Sequence, residues 1–132
     1  IRKFVRDAPQ MLVNITNDGW FGDSEAAMQH MANAKFRCVE LRRPMARAAN
    51  TGVSGVVDII GTTENTQTGE MNVIGTKDNP FVRDGLYATV KVPTEPVWTL
   101  YALAGDWFVI LCAVLTLLGV SIVMRARKAS AL

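Results

Sequence analysis

The stretch Met11-Leu12-Val13-Asn14-Ile15-Thr16-Asn17-Asp18-Gly19-Trp20-Phe21-Gly22-Asp23-Ser24 decides the reading of this chain. Met11 to Thr16 is a short apolar run, partly β-branched, of the kind that forms a buried strand. Asn17-Asp18-Gly19 is turn chemistry. Trp20 and Phe21 follow in a loop between Gly19 and Gly22, and Asp23 or Ser24 is placed to cap a helix. In that helix Ala27, Met31, Ala34, Cys38 and Leu41 recur at spacings of four and three and make one apolar face, with Asn33, Arg37 and Glu40 on the opposite side. Pro44 disfavours helical backbone at the residue before it, so the helix ends near Arg43.

Downstream, residues 44–50 and 53–60 read as two strands around the turn Asn50-Thr51-Gly52. Residues 61–69 are polar and read as a hairpin or loop. Residues 71–74 form a short strand, and 75–84 a loop closed by Asp84-Gly85. Leu86, Ala88, Val90 and Val92 alternate with Tyr87, Thr89 and Lys91, which predicts a period-two strand. Strand, helix, then several strands is an α/β order. It makes half of a layered sandwich, with the remaining layers expected from sequence outside this chain. The chain opens on Ile1-Arg2-Lys3 with no apolar leader, and is expected to be the C-terminal part of a longer protein.

Trp107 to Met124 reads WFVILCAVLTLLGVSIVM, 18 residues without a charge. At ~1.5 Å per residue this spans roughly 27 Å, about one bilayer core. Apolar residues occupy every face, Trp98, Tyr101 and Trp107 cluster at one end, and Arg125, Arg127 and Lys128 close the other. That pattern predicts a transmembrane helix in preference to a buried core helix. The basic end sets the orientation: residues 1–100 form an extracytoplasmic domain, 106–124 the span, and 125–132 a cytoplasmic tail. The formal charge of +2 resides in that tail, and upstream acids and bases nearly balance, which is no footprint for nucleic acid. With two cysteines and one histidine, His30, there is no metal-ligand spacing. Asn14-Ile15-Thr16 matches a glycosylation acceptor pattern, read as accidental inside a strand.

The opening motif and its continuation resemble the apolipoprotein N-acyltransferases, bacterial inner-membrane members of the nitrilase superfamily. The residues that carry the resemblance run from Leu12 to Ser24, then Gln29-His30, Arg37 to Glu40, Arg43-Pro44, Arg47-Ala48-Ala49-Asn50-Thr51-Gly52, and Asp58 before Gly61. The likeness is dense from Met11 to Gly61, weak from Thr62 to Asp84, and topological thereafter. It implies the C-terminal part of a nitrilase-like αββα sandwich followed by one transmembrane helix. It implies a bacterial inner-membrane protein whose domain faces the periplasm. Its partners would be a phospholipid acyl donor and the diacylglyceryl-modified N-terminus of an apolipoprotein, with no cofactor and no metal. The family's Glu-Lys-Cys triad carries the acyl group as a thioester. Those residues are expected upstream of Ile1, so no catalytic residue is expected in this chain and the chain alone is expected to be inactive. Cys38 stands where the family has a small residue, and Cys112 lies in the span. A membrane-tethered nitrilase-like amidase and an inactive anchored remnant or binding module are the competing readings.

The candidate site residues are Asn17, Asp18, Trp20, Phe21, His30, Arg47, Asn50 and Thr51. Trp20 and Phe21 suit a lid or acyl-chain contact, against plain packing at a strand end. Asn17 and Asp18 suit a pocket rim, against ordinary turn formation. His30 orients a substrate group or makes a structural hydrogen bond. Arg43 and Arg47 have the fork geometry for lipid phosphate, the plainer reading being a pair with a carboxylate such as Glu40. Asn50-Thr51-Gly52 is a tight turn near the site.

Overall fold

A computed structural model describes residues 2–22, 24–76, 79 and 82–130. The candidate cap Asp23, part of the 75–84 loop and the last two residues of the tail lie outside them. The main elements are β1 (Leu12–Thr16), α1 (Ala26–Leu41), β2 (Met45–Ala49), β3 (Ser54–Val57), β4 (Val73–Ile74), α2 (Leu100–Ala104) and α3 (Trp107–Ser130). The strands form one sheet in the order β1-β2-β3-β4. β1 and β2 run parallel, Leu12 opposite Met45 and Thr16 opposite Ala49, while β3 and β4 are added antiparallel. A parallel pair needs a crossover, and α1 supplies it, packed on one face of the sheet.

The buried face of α1 is Ala27, Met31, Ala34, Cys38 and Leu41, as its spacing predicts. Met31, Ala34 and Cys38 meet Met45, Val53 and Val57 from the sheet. Each large side chain buried here contributes about 1.5–3 kcal/mol. The helix ends at Leu41 because Arg42 turns left-handed, at φ 50°, and its N–H returns to the Cys38 carbonyl. Ser24 Oγ accepts from the Ala26 N–H at 3.4 Å and so helps the helix start.

Two strand expectations change. β1 is not buried on both sides: Leu12, Asn14 and Thr16 turn toward α1, whereas Val13 and Ile15 are 67% and 83% exposed. Only one layer of helix covers the sheet, so only alternate residues are shielded. The predicted strand across residues 86–92 does not form. Leu86, Ala88 and Val90 do turn inward and Tyr87, Thr89 and Lys91 outward, but no ladder partner lies alongside, and 82–99 holds no strand among the described residues. Period two sets which side faces in; pairing needs a neighbour as well.

Arg43 organises the return of the chain. Its side chain is buried, and it donates to the carbonyls of Pro9 (2.6 Å), Arg42 (3.0 Å) and Val97 (3.0 Å), with the guanidinium 6.0 Å from the Trp98 ring. It therefore does not pair with Glu40. Glu40 pairs instead with Arg37, one helical turn back, at 2.8 Å. Thr99 caps α2 by accepting from the Ala102 N–H, and its hydroxyl also donates to the Glu40 carbonyl. Ala102 then packs with Val5 and Leu41. These contacts fasten the segment that leads into α3 onto the end of α1. The window Trp107–Ala129 is long and apolar enough to cross a membrane, with mean hydropathy 2.6, and none of it is buried.

Candidate functional site

Parallel strands β1 and β2 end side by side, and the motifs singled out in the sequence leave from those ends. The Asn50 N–H continues the ladder to the Thr16 carbonyl at 2.9 Å. Asn17 serves the turn that follows β1, its Oδ1 accepting from the Gly19 N–H at 3.1 Å and from Asn50 Nδ2 at 3.4 Å. Thr51 Oγ1 is buried with no hydrogen-bond partner among the described residues. Gly19 and Gly52 let the two loops touch. A Cβ on Gly19 would stand 3.2 Å from Thr51 Oγ1, and one on Gly52, whose φ is +96°, would stand 2.8 Å from Asp18 Oδ2. Only glycine takes that φ without strain.

Gly19-Trp20-Phe21 closes as a single 3-10 turn, with the Phe21 N–H on the Asp18 carbonyl at 3.0 Å and the Ser24 hydroxyl on the Phe21 carbonyl at 2.7 Å. Trp20 is left 87% exposed and Phe21 40% exposed, so neither is packed into a core.

Beneath this turn lies a charged network. The Asp18 carboxylate is fully buried and the Arg47 side chain 1% exposed, with Arg47 Nη2 donating to Asp18 Oδ2 at 2.8 Å. The remaining Arg47 donors go to Asn14 Oδ1 (2.6 Å) and the Val53 carbonyl (3.1 Å). Asp18 Oδ1 accepts from the Thr16 hydroxyl at 3.1 Å and faces His30 Nδ1 at 2.8 Å. A carboxylate only accepts, so the proton of the neutral imidazole sits on Nδ1 and Nε2 is left as the acceptor. Arg47 Nη2, 3.2 Å from the same nitrogen, is then a second donor aimed at Asp18 and not at the ring. The imidazole stands edge-on to Phe21, centroids 5.8 Å apart at 86°. A cavity of about 240 Å³, lined by Asn14, His30, Asn33, Arg37 and Arg47 among others, opens where α1 meets β1 and β2.

The eight candidate site residues thus fall in one region, whereas Arg43 lies apart from them against Pro9 and Val97. Arg47 is in that region with its side chain buried, and its carboxylate partner is Asp18 in place of Glu40. Asn14 was missed as a participant. The available signal was parity: on β2 the inward positions are Met45 and Arg47, and a charge at an inward position demands partners from the inward residues of the next strand.

The larger cavity, about 470 Å³ between the 58–67 loop and residues 89–97, shares no residue with this region. Cys38 is buried, and burial, with the Asp58 charge second, raises its thiol pKa to about 12. It is therefore a poor nucleophile at neutral pH.

The chain is 37% identical over 123 residues to an apolipoprotein N-acyltransferase of Bradyrhizobium diazoefficiens, covering 93% of this chain and 20% of that protein. A Methylococcus capsulatus protein of the same name is 40% identical over 120 residues, covering 90% of this chain and 21% of its own length. This chain belongs to the apolipoprotein N-acyltransferase family. A Rhizobium meliloti member is 58% identical over a stretch of 50 residues. No family model matches the chain. It spans about a fifth of the length of the family members it matches across nearly its whole extent.

Proposed function

We propose that the protein to which this chain contributes transfers a fatty acyl chain from a phospholipid to the α-amino group of the S-diacylglyceryl-cysteine that begins a lipoprotein. The names of its relatives support acyl transfer to apolipoproteins. In this reading a cysteine outside the chain attacks the phospholipid ester: the C–S bond forms as the ester C–O bond breaks, the lysophospholipid leaves with the proton the thiol gave up, and the acyl group is held as a thioester. The lipoprotein amine then forms the C–N bond as the C–S bond breaks. Neither Cys38, buried with its thiol pKa raised to about 12, nor Cys112, on the candidate span, suits that task, so no catalytic residue is assigned to this chain. The chain's contribution is the substrate rim: Asn17, Asp18, Trp20 and Phe21 on one loop, Asn50 and Thr51 on the other, with His30 and Arg47 beneath.

The observation that carries the reading is the placement of Trp20. It is a large exposed aromatic on a closed turn, at the ends of two parallel strands, in a domain that continues into a helix able to cross a membrane. Ligands of α/β sheets gather at that end of the strands, and an exposed indole suits a lipid chain. With α3 spanning and its Arg125, Arg127 and Lys128 on the cytoplasmic side, residues 1–100 face the periplasm. The nitrilase-like sandwich of the resemblance supplies the missing layer over Val13 and Ile15.

The test uses the full-length protein, a labelled phospholipid and a diacylglyceryl peptide. Transfer by the parent, with Trp20→Ala lowering kcat/KM about tenfold or more, is the expected result. Hydrolysis of soluble amides without transfer to the peptide would favour the amidase reading and end this one.

A further inference from the structure

Asp18 sits where a turn aspartate would cap its own turn, yet its side chain makes no bond to the Gly19–Phe21 backbone. Asn17 does that work. Asp18 is instead folded under the turn, tied to β2 through Arg47 and to α1 through His30, and His30 returns to the turn by its edge-on contact with Phe21. Gly52 gives it room at a distance no other residue allows. The circuit from β2 to the turn to α1 and back to the turn closes around Trp20, the one large side chain of the turn that it leaves mostly exposed.

A buried ion pair is weak evidence for stability as such, because an apolar pair of the same volume fills the space as well. What a satisfied polar network adds is a single geometry. We propose that Asp18 is a positioning residue: held by Arg47 and holding His30, it locks the 17–21 turn so that Trp20 stands outward against the acyl chain of a lipid substrate. The identity of that substrate rests on the function proposed above; the brace itself rests on the geometry.

Two readouts on the full-length protein keep these apart. The first is hydrogen–deuterium exchange at the amides of residues 19–22. Asp18→Asn strands the buried Arg47 cation and so lowers protection in β2 as well, but it speeds exchange at 19–22 by about tenfold more than in β2 or α1. His30→Ala, which spares the buried pair, loosens Phe21 in the same way. Unchanged exchange at 19–22, or equal loss of protection in β2 and α1, overturns the brace. The second readout is kinetic. Asp18→Asn and Trp20→Ala each raise KM for the phospholipid about tenfold with kcat held within about threefold, and the double variant is no worse than Trp20→Ala alone. A double variant whose losses multiply overturns the claim that Asp18 acts through Trp20. Absence of phospholipid transfer by the parent protein removes the lipid substrate from the account, while the exchange result still decides the brace.

Discussion

Replacing Arg47 by methionine removes the cation from a pair in which neither side chain is more than 1% exposed. Methionine fills most of the volume, so the cost is electrostatic. The Asp18 carboxylate keeps Thr16 and His30 but loses its 2.8 Å bond to Nη2, and Asn14 Oδ1 and the Val53 carbonyl lose donors. A buried charge left without its partner costs about 3–5 kcal/mol. For a domain of this size each kcal/mol moves the midpoint by about 2–4 °C, so thermal unfolding of the full-length protein in detergent should begin at least about 6 °C earlier. The second arm separates charge from packing. Adding Asp18→Asn to Arg47→Met leaves polar but uncharged groups, whose cost is about 1–3 kcal/mol, so the double variant should be more stable than the single. An Arg47→Met protein that unfolds within about 1 kcal/mol of the parent, or a double variant less stable than the single, would show that the Asp18 charge does not depend on Arg47.

Gly52→Ala forces a Cβ to 2.8 Å from Asp18 Oδ2 at a φ of +96°, and should cost about 1–3 kcal/mol by denaturant titration; no measurable change would show that the 50–52 turn is free of Asp18. Cys38 should resist alkylation by iodoacetamide at pH 8 in the folded protein and react once unfolded. Its folded pKa of about 12 lies above the unfolded value of 9.0, so the folded state holds the proton more tightly. The stability this contributes is complete below about pH 9 and lost as pH rises toward 12. The stability difference between the parent and Cys38→Ala should therefore shrink over that window, and a constant difference would contradict the burial. In a background lacking Cys38 and Cys112, Trp20→Cys should be labelled by an impermeant maleimide from the periplasm and Lys128→Cys only after the inner membrane is opened; labelling of both from one side would show that α3 does not span the membrane.

What the sequence made legible follows from which signals are local. The α1 face was readable because a helix period marks every inward residue without reference to anything else. The ends of β1 and β2 were readable from Asn-Asp-Gly and Asn-Thr-Gly, since turn residues announce themselves. The strand at 86–92 was misread because alternation reports exposure and not pairing; Leu86, Ala88 and Val90 face in as expected, Val92 is exposed, and the ladder is absent. β1 looked buried because Val13 and Ile15 are apolar, but burial depends on a second layer that the described residues do not hold. The Asp18–Arg47–His30 network was out of reach as a set. Its members were each singled out, but their bonds join positions 29 and 12 residues apart in the chain. Turn chemistry at Asp18 gave no hint that Asn17 would take over the capping.

Trp20 and the strand-end loops are proposed to meet lipid. A phospholipid with a photoactivatable group on its acyl chain, incubated with the full-length protein in vesicles and irradiated, tests this directly. The predicted result is adducts on the peptides carrying Trp20-Phe21 and Asn50-Thr51, reduced by excess unlabelled phospholipid. Adducts confined to α3, with the strand-end loops unmarked, would contradict it.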